Sequence, residues 1–279
     1  LFLLALLLQS SQPAPESARP ALPPLHGGPA EMTCPVGGER FSAWQPAMYS
    51  TYGERPDGKP YSYLPFPFPL PECPSNKLIV FGKFSTQETA ALAQAIATPA
   101  YRQLIGAETS YYRAYWLSTK LGRPRRESLG LLLSAIWQVS PDAAEKAPSR
   151  AEDARRRRYQ ALLVREVQRL GPAVAPQDRA LLQARAANAA REMGAFREAE
   201  ALRVQAMASL AGLSDKRGWD GYLFRLDAVI ARRDSSIEPL DMIPEQQAAS
   251  ICERARPSNA FDRAVCARVQ SGAAKERPR

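Results

Sequence analysis

The chain has 279 residues, 45% of them hydrophobic and 23% charged, a balance that excludes a wholly disordered polymer and predicts one larger folded unit beside a smaller one. Lys and Arg exceed Asp and Glu by 37 to 28, a formal net charge of +9, which predicts affinity for anionic surfaces. Much of that excess sits in a few arginine-rich stretches, so charge alone does not define a nucleic-acid binder.

Residues 1–11, "LFLLALLLQSS", open on an apolar run too short to span a bilayer as a helix and similar to the apolar region of a secretory signal. Export is therefore expected, and no transmembrane span in the mature chain. Residues 12–30 are so rich in Pro, Ala and Ser that an unstructured linker is predicted, holding His26, the sole histidine.

Residues 31–84 are dense in proline, tyrosine and phenylalanine. "FSAWQPAMYSTY" and "YSYLPFPFPL" flank the turn signal "RPDGKPY" at 55–61 and predict short strands, which their prolines confine to edges. "LPFPFPLP" at 64–71 suggests polyproline II, and "KLIVFGKF" at 77–84 is the best strand candidate. Together they predict a small ribbon-like β module.

From residue 85 the texture is helical. "STQE" at 85–88 is a capping box that opens a helix over 86–96, and "ETSYYRAYWLSTKLG" closes on Gly122. Further helices fit "RRESLGLLLSAIWQ", "RAEDARRRRYQALLVREVQRLG", "QDRALLQARAANAAREMG", "FREAEALRVQAMASLAG", "GWDGYLFRLDAVIARR", "PEQQAASICERA" and "NAFDRAVCARVQ". Short turns between them predict antiparallel hairpins over 85–271, ahead of a disordered tail at 272–279. Ala187, Gly194, Phe196, Ala199 and Ala206 stand where a tetratricopeptide-type repeat places small and aromatic residues. The fold class is thus mainly α, with tetratricopeptide-like hairpins preceded by the ribbon-like module.

A search for chemistry finds no phosphate-binding glycine loop, zinc-protease HExxH, GxSxG elbow or S-x-x-K pair. Histidine-based catalysis would have to use His26 in the linker, so no catalytic residue, metal or cofactor is assigned. Scattered carboxylates are expected on solvated helix faces. Of the run Arg155 to Arg158, Arg158 shares a helix side with Arg165 and Arg169, a candidate anion contact. The competing reading is a solvated helix start, in which replacing Arg155 to Arg158 by serine leaves folding intact.

"TCPVGG" at 33–38 and "ECPSNK" at 72–77 each begin like a metal-binding cysteine knuckle whose second cysteine is missing, with Gly37 and Asn76 in its place. These motifs, with "REMGAFREAE" at 191–200, make the chain similar to a bacterial family known as domain of unknown function 2225. That family has two knuckles followed by tetratricopeptide-like helices. The resemblance implies a ribbon followed by helices. It also implies that the two remaining sulfurs lie close enough to oxidise once no metal holds them. Cys252 and Cys266 flank a helix-breaking Pro257 and can face each other across a hairpin. Four cysteines allow three connectivities; the pairing that closes local units is Cys34–Cys73 with Cys252–Cys266. The alternative is four buried thiols in a cytoplasmic protein.

The sequence thus reads as an exported, periplasmic, non-enzymatic module that binds another protein or a peptide segment, with nucleic acid an unfavoured partner. Its competitor is a cytoplasmic regulatory protein whose degraded zinc ribbon accompanies a basic helix on nucleic acid.

Overall fold

The computed structural model describes residues 26–141, 149–254, 257 and 259–276. The opening apolar run, residues 12–25 of the expected linker and the last three residues of the expected tail lie outside them.

Strands β1 (Gly27–Thr33) and β2 (Arg40–Pro46) form an antiparallel ribbon, in register from Gly27 opposite Pro46 to Thr33 opposite Arg40. The linker reading therefore ran too far, because β1 takes up residues 27–30. A two-stranded ribbon has two free edges, where Pro29 is tolerated. Strands β3 (Thr51–Glu54) and β4 (Pro60–Ser62) make a second hairpin around residues 55–59. The segment 77–84, expected as the best strand, is not one: only Ile79 forms a bridge, to Glu72. Its neighbour along the chain contains Pro69, Pro71 and Pro74, which have no N–H to donate to a ladder. Leu78 and Ile79 are instead fully buried.

Ten helices follow among the described residues. They are α1 (Thr86–Ala97), α2 (Pro99–Ala107), α3 (Ser110–Lys120), α4 (Arg125–Gln138), α5 (Arg150–Gln168), α6 (Pro176–Glu192), α7 (Phe196–Leu210), α8 (Trp219–Ala231), α9 (Glu245–Arg254) and α10 (Ala260–Glu276). The capping box at Ser85 and Glu88 is formed. Helix α2 was not expected, although Thr98 caps it and Pro99 sits at its first turn, an arrangement suited to a helix start. Helix α10 runs on to Glu276, into the stretch read as tail.

Helices α3 to α8 pack each on the next, and α6 also touches α4 and α8, so these three form an inner row. Three of the turns use one device. Arg123 N donates to Ser118 O at 3.2 Å, Ala195 N to Ala190 O at 2.9 Å, and Asp234 N to Val229 O at 3.0 Å. The residue before each donor is left-handed: Gly122 (φ 67°), Gly194 (φ 81°) and Arg233 (φ 58°). This is the six-to-one closure of a Schellman motif, and its repetition gives the body its hairpin rhythm.

Three apolar cores result. The largest joins α3 to α8; the second packs Cys34, Cys73, Leu78 and Ile79 against Leu92, Tyr101 and Leu117 of α1, α2 and α3; the third sits under α9 and α10. Two-stranded hairpins are marginal alone, and here the first ribbon shares its core with helices across residue 85.

Candidate interaction site

The two cysteine turns have the same backbone design. Cys34 N donates to Glu39 O at 2.8 Å and Gly38 N to Cys34 O at 3.2 Å; Cys73 N donates to Leu78 O at 2.9 Å and Lys77 N to Cys73 O at 3.0 Å. A cross-strand pair flanks each turn at the same offset, Thr33 with Arg40 and Glu72 with Ile79. Between them Cys34 and Cys73 form a disulfide with Cα atoms 5.6 Å apart, within ordinary disulfide geometry. Asn76 fills the place of one missing cysteine. Its Nδ2 donates to Val36 O at 2.8 Å and lies 3.6 Å from Cys34 Sγ, while its Oδ1 accepts from Leu78 N at 3.0 Å. Opposite it, Gly37 takes φ 91°, and a Cβ there would lie 4.0 Å from that same Nδ2. His26 stands at the other end of β1, its ring 4.7 Å from that of Tyr63, so it is remote from the sulfurs. Cys252 and Cys266 form the second disulfide, with Cα atoms 5.5 Å apart.

The tip of the β3–β4 hairpin is seated against the inner row of helices α4, α6 and α8. Residues 55–59 are all buried, although β3 leading into them is exposed. Gly58 takes φ 88°, and its N donates to Arg55 O at 2.9 Å; Asp57 accepts from Lys59 N at 3.0 Å and from Arg55 Nε at 3.2 Å. Each inner helix then sends one side chain to a backbone carbonyl of this turn. Trp137 Nε1 of α4 donates to Asp57 O at 3.1 Å, Arg185 Nη1 of α6 to Pro56 O at 2.7 Å, and the Tyr222 hydroxyl of α8 to the same Pro56 O at 2.7 Å. Arg185 also pairs with Glu54 at 2.6 Å and lies 4.9 Å from the Trp219 ring centre. A Cβ on Gly58 would meet the Arg185 guanidinium at 2.8 Å, so glycine lets the turn seat.

A polar network continues beneath the turn. Buried Glu192 accepts from Gln160 at 2.6 Å, Asn188 at 2.8 Å and Arg156 at 3.3 Å. Burial pushes its carboxyl above the usual carboxylate range despite Arg191, Arg55 and Arg156 nearby. Asp57 behaves oppositely. Burial raises it, but Arg55, in direct contact, together with the Lys59 N–H holds it below the ordinary value. Burial pushes the Tyr222 hydroxyl up to about 12.

Away from the seated turn the module displays aromatics. Met48 is 69% exposed and Tyr49, Tyr52 and Tyr63 about half exposed. Tyr49 rests edge-on against Phe66 and Phe68, so the "LPFPFPLP" segment pins the strip from below. Beside it a cleft of roughly 360 Å³ runs between the hairpin and α9. Tyr61 lies within it, its hydroxyl donating to Glu238 at 2.8 Å and its ring stacked 6.4 Å from Tyr52.

The repeat residues meet in one place. Ala187, Ala199 and Ala206 are fully buried where α6 crosses α7, Gly194 makes the turn between these helices, and Phe196 packs against the core beneath the Arg233 guanidinium. The arginines are less free than expected. Arg158 grips Glu108 at 2.7 and 2.9 Å, Arg169 lies 3.6 Å from Glu166, and Arg165 is exposed. Arg156 is not on a solvated face: it is buried, held by Asp153 and Glu192. The serine replacement expected to be harmless would therefore strip Glu192 of a cation.

Sequence reasoning missed Trp137, Arg185, Glu192 and Tyr222. The readable signal was Arg185, Arg191 and Glu192 inside an alanine-rich helix whose small residues demand close packing. No helix among the described residues is long and apolar enough to cross a membrane, and among them no group of three His, Cys, Asp or Glu is placed to hold a metal. No protein-family model, curated protein or solved structure matches the chain.

Proposed function

We propose that this is an exported, periplasmic, non-enzymatic scaffold that binds a partner protein through the aromatic strip of its ribbon module. The observation that carries the reading is the exposure of Met48, Tyr49, Tyr52 and Tyr63 on a module locked by a disulfide and by its own seated turn. Rigid aromatic rings contribute much of the energy at protein interfaces at low entropic cost. The inner row of helices holds residues 55–59, so an outside partner is left the strip. The twin cysteine turns support descent from a two-knuckle ribbon of the kind in domain of unknown function 2225, with a disulfide replacing the metal. Two disulfides agree with an oxidising compartment.

The test is a photo-cross-linking residue in place of Met48, activated in the cells that make the protein. One discrete adduct that is lost with Tyr49→Ser supports the reading. Absence of any adduct, with the protein recovered from the cytoplasm as free thiols, would discard it.

A further inference from the structure

The geometry points to the cleft between the β3–β4 hairpin and α9 as the docking site for this chain's own residues 19–25, "RPALPPL". Three observations converge. First, the cleft presents the rings of Tyr52, Tyr61, Tyr63 and Phe66 beside the donors of Gln247 and Arg254. Aromatic walls of this kind accept proline rings, and donors suit a proline-rich backbone, which has carbonyls to pair but few N–H groups.

Second, the chain enters the described structure at the cleft's rim. His26 rests its ring 4.7 Å from Tyr63, one of the lining residues, and residue 25 directly precedes it. Seven residues reach at most about 25 Å, so the cleft lies within range of this stretch. Tethering at that distance gives an effective concentration on the order of millimolar, at which weak individual contacts suffice.

Third, the composition fits. Residues 19–25 hold three prolines and two leucines in seven positions, apolar content suited to rings and to the Ile251 side chain in the lining. The two readings share Tyr52 and Tyr63, so docking leaves Met48 and Tyr49, which are outside the cleft, to a partner; the docking itself requires no second protein.

The test uses the full chain with a photo-cross-linking residue at position 22, followed by digestion and mass mapping. Cross-links within one molecule, to peptides from residues 52–66 or 247–254, are expected, and should fall at least fivefold in Tyr52→Ala. A second variant, Pro20→Ser with Pro23→Ser and Pro24→Ser, should raise hydroxyl-radical labelling of Tyr52 and Tyr63 about threefold. Cross-links only between two molecules, or none to the cleft, overturn the proposal, as does labelling unchanged by loss of the prolines.

Discussion

Arg185 and Pro56 lie 129 residues apart in the chain and meet through a 2.7 Å hydrogen bond from the guanidinium to the backbone carbonyl. This contact, shared at the same oxygen by Tyr222, joins the ribbon half to the helical half. Removing it should weaken the seating of the turn, which Trp137 and Tyr222 still hold. Arg185→Ala is expected to cost about 1–3 kcal/mol, since it removes a charged donor from Pro56 O, which keeps Tyr222, and the cation from half-exposed Glu54. Trp137→Phe, losing one neutral bond, should cost about 1 kcal/mol. Urea titration read by tryptophan fluorescence measures both; equal stability to wild type would mean the turn is not seated.

The arginine run offers a sharper discrimination. Arg156→Ala takes one of two cations from buried Glu192, leaving Arg191 at 3.8 Å, and about 1–3 kcal/mol should be lost. Arg157 is half exposed, its side chain at 51%, and Arg157→Ala should change stability by less than about 0.5 kcal/mol. Thermal denaturation of the two variants side by side decides it.

The disulfides should matter in proportion to the loops they close. Cys34 and Cys73 are 39 residues apart and Cys252 and Cys266 are 14 apart, so the chain-entropy estimate gives about 4 and about 3 kcal/mol. Double serine variants at each pair, compared by calorimetry, should preserve that order.

Acid stability follows from two buried carboxyls that titrate in opposite senses. Asp57 is held below its ordinary value in the folded protein, so its contribution is present above the unfolded carboxylate range and is lost as pH falls through its folded value. Glu192 is raised; its ionised form opposes folding near neutrality, and that opposition fades as pH falls. Asp57→Asn should therefore flatten the loss of stability in acid, and Glu192→Gln should steepen it. Midpoint denaturant concentrations measured from pH 3 to pH 7 would show whether the slopes move in these directions.

The helices were legible because local signals suffice for them: Ser85 with Glu88, Gly122, Gly194 and the alanines of α6 each act within a few residues. Cys34 and Cys73 could be paired in advance because both motifs resemble the start of a metal knuckle, and that resemblance implies neighbouring sulfurs. The seating of the 55–59 turn was not legible. "RPDGK" announces a turn through its Asp-Gly pair, but nothing near it says that Trp137, Arg185 and Tyr222 will converge on its carbonyls. The strand expected at 77–84 failed for a related reason: β propensity was present, while the prolines beside it removed the partner.

The seated turn also sets an order of events during synthesis. Tyr222 follows Pro56 by 166 residues, so at 5–20 residues per second roughly 8–33 s separate their emergence from the ribosome. Trp137 follows Asp57 by 80 residues and Arg185 follows Pro56 by 129, so throughout that interval the turn's receiving surface is incomplete. Final assembly is a late, long-range step of the kind that slows folding, and the nascent ribbon must stay soluble with its future contact surface still wet.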